Sequence, residues 1–472
     1  MLALTACLAI GPAVALAAST GGATAPTGSS GGHGGASGGT GTTGSSGPTG
    51  KKGPTGKTGP TGPTAKSGPP GRKAPPLPAA EVAHLQHVMA KAMKPLGGHS
   101  GAYVVDLDNG EVLFNDSGST PRNPASVEKL YTLTTALARF GLDGTLQTSV
   151  YAEGKFEPGD LFVGNLYLRG GGDPTFGDLA FDKHNYGTGT TVTALARLLI
   201  EKTHIRKIKG SIIGDESYFD SRRGGPSTNF GVDPNLVGEL SALAFDRGEG
   251  GSLGSPPAYA AFQLAGALRH DGVVVTGRSH AGITSLFTSQ LLVSIDSPPM
   301  STLVRLTALP SDDFFAEMLL KALGARFGTG GTTAAGAAVV SQFLAGLHLD
   351  PAIADGSGLS RADRTSPIDV VTLLRDLSAG GVPGLQAIGA TIAQSLPVAS
   401  DSGTLEYRMH GSAASGHCSA KTGTLSNASD LAGWCNGAFA FAFLMNHVNV
   451  IAAEEAQDTM TIALAKLSVP AA

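Results

Sequence analysis

No Phe, Tyr or Trp precedes Tyr103 in this chain of 472 residues, and no Asp or Glu lies between positions 19 and 78. Residues 19–78 hold 19 Gly and 10 Pro instead. A stretch so poor in large apolar side chains cannot offset its chain entropy by burial, which excludes a packed core there. Charge is sparse too, at 15% of residues against 41% hydrophobic. Past the first 18 residues no uninterrupted apolar run reaches 18, the length a spanning helix needs. The formal charge of −4 comes from 33 Lys and Arg against 37 Asp and Glu. Six of those bases (Lys51, Lys52, Lys57, Lys66, Arg72 and Lys73) sit in the acid-free stretch, and residues 1–18 carry no charge. The remainder therefore holds 27 bases against 37 acids, a net −10. A mildly acidic globule argues against a nucleic-acid-binding body. The basic tail has two readings, a peripheral contact with an anionic wall or membrane surface, or charges that keep a linker soluble.

What is present begins with Met1 to Ala18, an apolar run interrupted by Gly11-Pro12 and ending in small residues, the pattern of a secretory signal peptide. Leu4-Thr5-Ala6-Cys7 also matches a lipoprotein box, so lipidation at Cys7 stays open. Either way the chain is expected outside the cytoplasm, secreted or associated with the wall or membrane of a bacterium. Two further cysteines, Cys418 and Cys435, lie across an expected β-hairpin. They are either free buried thiols or a disulfide, which export favours and which contributes about 3 kcal/mol for so short a loop. From Gly47 glycine recurs every third position through Gly71, with Ala65 breaking the series. So few triplets suit an extended tether better than a stable triple helix.

The folded part reads as follows. Residues 81–95 are helical. Ala102 to Leu107 and Glu111 to Phe114 are strands joined by a turn at Asn109-Gly110. Leu130, Leu133, Leu137 and Phe140 keep helical spacing until Gly141. Residues 144–295 carry short β-like runs and read as a strand-rich insertion. Phe314 to Ala322 is an apolar helix, Gly437 to His447 alternates Phe with Ala as a core strand, and 452–466 is a closing helix. The domains expected are a signal peptide at 1–18, a linker at 19–78, a main domain from 79–143 and 296–472, and an inserted domain at 144–295. The main domain is α/β (α+β), an antiparallel sheet flanked by helices.

Three short patterns carry chemistry. Ser126-Val127-Glu128-Lys129 is the one Ser-x-x-Lys tetrad in the chain. At a helix start its serine and lysine share a face, so a desolvated Lys129 can take the proton of Ser126. Most such tetrads are only a capped helix with a surface lysine. Ala420-Lys421-Thr422-Gly423-Thr424 lies on the strand before the Phe/Ala strand. It offers a cation, a hydroxyl for a substrate carboxylate, and a glycine where substrate backbone lies along a strand edge. Lys57-Thr58-Gly59 repeats that tripeptide in the linker, so the tripeptide alone proves little. Ser311-Asp312-Asp313 opens the Phe314 helix, where an ordinary N-cap is the plain reading. A phosphate loop fails for want of a glycine before Lys421, and neither a His-Glu-x-x-His pattern nor a ligand-spaced histidine cluster exists.

Together, in this order and on these elements, the three patterns match penicillin-recognising serine enzymes. The surrounding residues narrow the match: Pro124 to Leu130, Gly170-Gly171-Gly172-Asp173-Pro174-Thr175, Ser311 to Asp313 with Ala316-Glu317, Asp355 to Arg361, and Ala420 to Leu425. They resemble the D-Ala-D-Ala carboxypeptidase/endopeptidase family of class C low-molecular-mass penicillin-binding proteins, over about residues 97 to 466. The resemblance implies a penicillin-binding-protein/β-lactamase-like transpeptidase domain interrupted by an inserted domain. The 185-residue spacing of Ser126 and Ser311 is short for that family, as if a second inserted subdomain were reduced or absent.

By the same resemblance Ser126 is the nucleophile toward peptidoglycan stem peptides, Lys129 the general base, and Ser311 a proton relay. Asp313, Lys421, Thr422, Gly423 and Thr424 bind substrate, the N–H groups of Ser126 and Thr424 hold the oxyanion, and β-lactams inhibit. No cofactor or metal is implied. Ser357 and Ser360 are expected to be structural, Gly170 to Thr175 a loop junction, and Glu128 a solvated or paired surface residue. The family carries Asn where this chain has Asp313. An ionised carboxylate there only accepts hydrogen bonds and favours the ammonium forms of Lys129 and Lys421; the alternative is an Asp313 that stays protonated. Three functions compete on these grounds: an active D,D-peptidase, a non-enzymatic wall-binding module, and a β-lactamase, which no deacylating glutamate motif supports.

Overall fold

The computed structural model describes residues 76–248, 254–379 and 384–468. The expected signal peptide, the lipid-box cysteine Cys7 and nearly all of the triplet-bearing linker lie outside the described residues.

A five-stranded antiparallel sheet organises the main body, in the order Cys418–Leu425, Ala428–Cys435, Phe439–Asn446, Ser100–Asp106, Val112–Asp116. The Ser100–Asp106 and Val112–Asp116 strands meet at the expected Asn109-Gly110 turn. Gly110 takes φ +79°, the left-handed conformation that glycine adopts without a side-chain clash. The Phe439–Asn446 strand shows why its sequence alternates. Phe439, Phe441 and Phe443 face one way and pack with Leu85, Met89 and Met460 of the Ala79–Met93 and Val450–Ala465 helices. Each such ring contributes about 1.5–3 kcal/mol on burial. Ala440, Ala442 and Leu444 face the other way into a thick helical layer. The small side chains of Ala440 and Ala442 let the Pro367–Ala379 helix pack close to the sheet. The Lys129–Phe140 helix runs through that layer with Lys129 through Leu137 all buried. The Asp313–Phe327 helix lies beside it, buried from Phe314 to Gly324.

Residues 147–296 build a second sheet of seven strands around the Gln147–Glu157 and Leu161–Arg169 hairpin. It has its own apolar cluster, with Phe162, Leu166, Leu195, Leu199, Ile208 and Leu264 at the centre. The Leu179–Asn185, Val192–Thr203 and Pro256–His270 helices, absent from the strand-rich reading, lie in this region. Between them, Phe219, Leu236 and Leu240 leave the second sheet's core and join the main cluster around the Asp313–Phe327 helix.

The Gly170 to Thr175 run is a junction. A side chain on Gly170 would sit 2.0 Å from the Ala242 carbonyl oxygen and one on Gly171 2.3 Å from that of Gln147. Asp173 turns back to accept from the Thr175 amide and hydroxyl. Cys418 and Cys435 are bonded to each other across the hairpin at a matched register position. Among the described residues no helix is long and apolar enough to cross a membrane.

Candidate active site

Ser126 lies on a 3₁₀ turn, Ala125–Glu128, that feeds the Lys129–Phe140 helix. The expected i, i+3 pairing on one α-helix is therefore made by a tighter turn, in which residues three apart eclipse one another. The turn is strained, because Ala125 carries a side chain at φ +43°. Its surroundings hold it there. Asn123 Oδ1 accepts from the Ala125 amide, and the Asn123 backbone exchanges two hydrogen bonds with the Asn446 side chain. On its two sides the turn touches glycines. A Cβ on Gly358 would stand 1.9 Å from the Ala125 carbonyl oxygen, and one on Gly423 2.7 Å from that of Pro124. Gly423 thus has a packing role at the Ser126 turn in addition to the strand-edge role expected of it.

Two buried amines converge on this turn. Lys129, with no exposed surface, places Nζ 2.9 Å from Ser126 Oγ, 2.5 Å from Asp313 Oδ1 and 2.7 Å from the Ser357 carbonyl oxygen. Three acceptors satisfy its three protons as an ammonium, so service as a base requires one proton to leave. Lys421, equally buried, donates to Ser311 Oγ at 2.7 Å and to the Thr422 carbonyl at 2.8 Å. Burial pushes the Lys421 amine well below the usual lysine range; the charge of Lys129 adds to this and Asp313 opposes it. Ser311 sits in left-handed backbone at φ +63°, just before Asp312, which caps the Asp313–Phe327 helix by accepting from the Phe315 amide. The plain N-cap reading holds for Asp312, which also binds Arg247. Asp313 is the acid of that helix's first turn and in addition reaches Lys129.

The Cys418–Leu425 strand lies at the edge of the sheet. Cys418 and Cys435 have Cα atoms 4.1 Å apart, the spacing of a non-hydrogen-bonded antiparallel pair. The N–H groups of residues 418, 420, 422 and 424 therefore turn outward, and the Ala420 amide does donate outward, to Pro397. Beyond it the Thr422 and Thr424 amides edge a cleft of about 280 Å³ lined by Ser126, Ser311, Asp313, Thr404, Arg408, Thr422, Thr424 and Glu454. Such an edge suits an extended peptide, and an outward Thr424 amide beside the Ser126 amide suits a developing oxyanion. Thr404, Arg408 and Glu454 escaped the sequence reading because no short motif contains them. Thr404 shares a 2.7 Å hydroxyl contact with Thr422, and Arg408 is fixed by Asp458.

Behind Lys129 lies a group of buried acids. Glu128, expected at the surface, has no exposed area. Its turn faces inward, so the Glu128 carboxyl stacks over the Lys129–Phe140 helix and accepts from Thr132 Oγ1 at 3.0 Å. Glu317 Oε1 accepts from the Gly356 and Ser357 amides, Asp355 from those of Gly358 and Ser360, and Asp363 from that of Ala354. Ser357 and Ser360 are buried wall residues, as expected. Burial raises all four acids, Glu317 to about 8, Asp363 to about 9, Glu128 well above the carboxyl range, and Asp355 in the same direction; neighbouring carboxyls add to this for the first three, whereas Asp363 and Lys129 oppose it at Asp355.

The carboxylate at Asp313 has a direct consequence. Asp313→Asn keeps an oxygen for Lys129 Nζ but removes the charge that stabilises the ammonium. The variant is expected to be acylated by penicillin faster at neutral pH, or with an optimum moved to lower pH, in stopped-flow measurements. Superimposable rate–pH profiles for the two proteins would refute this.

The sequence profile of the D-Ala-D-Ala carboxypeptidase 3 (S13) family matches residues 82–231 and 233–467. The chain is 30% identical over 459 residues to a D-alanyl-D-alanine carboxypeptidase of Actinomadura sp. (strain R39), covering 78% of this chain and 82% of that one. Among solved structures, penicillin binding protein 4 of Haemophilus influenzae superposes with a TM-score of 0.65 at 19% identity, over 78% of this chain and 98% of that one. The same protein complexed with a β-lactam gives a TM-score of 0.61 at 20% identity, over 81% and 99%. These two structures establish likeness of fold.

Proposed function

Because the chain belongs to the D-Ala-D-Ala carboxypeptidase 3 (S13) family, it is a serine-type D-Ala-D-Ala carboxypeptidase, and we propose that Ser126 is the nucleophile with which it cleaves peptidoglycan stem peptides. The observation that carries this assignment is the 2.9 Å contact of Lys129 Nζ with Ser126 Oγ, opposite the Lys421–Ser311 contact across the same cleft. Ser126 Oγ attacks the carbonyl between the two terminal D-alanines while the Lys129 amine takes its proton. The Ser126 and Thr424 amides hold the oxyanion. Ser311, bonded to Lys421, passes a proton to the leaving D-alanine nitrogen as the C–N bond breaks. Lys421 and Thr422, the latter steadied by Thr404, hold the terminal carboxylate, with Asp313 and Gly423 completing the wall. Water then attacks the ester, returning Ser126 and the shortened peptide. Endopeptidase cleavage of a cross-link is the same reaction with a longer leaving amine. A β-lactam acylates Ser126 by the same route, and its tethered leaving group slows deacylation.

We further read residues 144–295 as an inserted domain, supported by their separate sheet and core. The protein acts outside the cytoplasm, a reading supported by the wall substrate and by the signal-like N-terminal sequence. The Asp313 carboxylate, bound to the base, is the one feature that favours a wall-binding module without turnover. Labelling with a fluorescent penicillin followed by peptide mass spectrometry decides between them. The expected result is a slowly released adduct on Ser126, lost in Ser126→Ala. No adduct, or an adduct elsewhere, overturns the assignment, and rapid antibiotic turnover points to a β-lactamase.

A further inference from the structure

Asp313 and Glu317 are one helical turn apart on the same face of the Asp313–Phe327 helix. Asp313 touches Lys129 directly. Glu317, 1% exposed, reaches it through an intermediary: one carboxyl oxygen accepts from two successive amides, Gly356 and Ser357, at 2.9 Å each, and the Ser357 carbonyl accepts from Lys129. The loop so gripped also supplies Gly358, which abuts the Ala125 carbonyl and the Ser126 nitrogen. One side chain therefore anchors the wall against which both the nucleophile turn and the buried amine rest. We propose that Glu317 is a positioning residue for the Ser126–Lys129 pair, clamping the 356–357 peptide so that the Ser357 carbonyl orients the amine while Asp313 alone supplies its counter-charge.

The clamp works best uncharged. Around Glu317 stand Asp355 on the gripped loop and Glu128 on the nucleophile turn, with Asp363 and Lys129 beyond them against Asp355. Lys321, one turn along the same helix, is already paired with Asp220. Of these cations only Lys129 belongs to the catalytic pair, and Asp313 neutralises it. A second carboxylate nearby would hold Lys129 as an ammonium and withdraw the base. The other Glu317 oxygen, Oε2, is buried with no hydrogen-bond partner among the described residues, a state a protonated carboxyl tolerates better than an ionised one. Burial and Asp355 raise Glu317 to about 8, so ionisation falls just above neutrality.

The test is the rate of penicillin acylation from pH 6 to 10 in the wild type, Glu317→Gln and Glu317→Ala, with thermal melting to score folding. In the wild type the rate falls about tenfold per pH unit well above pH 8, as loss of one required proton dictates. Glu317→Ala, without the clamp, loses about 10²-fold at neutral pH, the order of cost for a small misplacement of reacting groups. Glu317→Gln keeps an acceptor for the two amides, restores most of that loss, and shows no alkaline fall. An unchanged alkaline limb in Glu317→Gln overturns the proposal. So does failure of that variant to fold, because an uncharged isostere must be accommodated. A wild type that forms no adduct at Ser126 would instead refute the nucleophile assignment.

Discussion

Lys129→Gln lowers the rate of Ser126 acylation by penicillin by about 10³-fold, within the range expected when a general base is removed. The amine has no exposed surface, and its Nζ lies 2.9 Å from Ser126 Oγ. Glutamine is shorter and offers an amide that does not accept a proton near neutral pH. The second amine, Lys421, sits one hydroxyl further off, against Ser311 Oγ. Its lowered proton affinity, caused chiefly by burial, suits it to relay protons at Ser311. The variant also leaves Asp313 without its cation, but that carboxylate is partly exposed to the cleft and can be hydrated. Melting temperature should therefore drop only slightly while the acylation rate collapses. If Lys129→Gln were acylated at the wild-type rate, the base would have to be sought at Lys421.

Gly358→Ala is expected to damage both stability and rate, although residue 358 bears no functional group. Two costs add. At φ +82° an alanine pays about 1–2 kcal/mol for left-handed backbone. Its Cβ would then stand 1.9 Å from the Ala125 carbonyl oxygen, closer than such atoms can approach, and a tight 3.0 Å from the Ser126 nitrogen. These neighbours are backbone atoms of an already strained turn, so relief comes only by moving Ser126. A loss of about 2–4 kcal/mol in denaturant unfolding is expected, in the range of substitutions that strain a special backbone position. A fall of about 10²-fold in acylation accompanies it, since Ser126 no longer faces Lys129 correctly. Wild-type acylation in a folded Gly358→Ala protein would show that the turn adapts independently of the 354–360 loop.

Much of the site was legible because its parts are local. Ser126 and Lys129 are three apart and Lys421, Thr422 and Thr424 share one strand, so spacing alone puts each set together. The Phe and Ala alternation from Phe439 declared a strand buried on both faces. Glu128 was misread because a lone acid beside a helix start is usually solvated, and nothing within several residues of it signals the inward turn. The helices within 144–295 went unnoticed because short β-like runs on either side dominated the pattern. The partners of Glu317 lie 39 and 40 residues away, and those of Arg408 at Asp458 lie 50 away.

Sequence by itself determined the order of the motifs and the faces of the core strand, since these depend on residue chemistry and on the periods of helix and strand, and its family resemblance implied the reaction type. Tertiary structure decided which acid touches Lys129, which glycines hold the Ser126 turn, and that four carboxyls lie buried behind one amine. Those facts depend on distances between remote stretches of chain, and burial and electrostatics change steeply over a few ångströms that no linear spacing records.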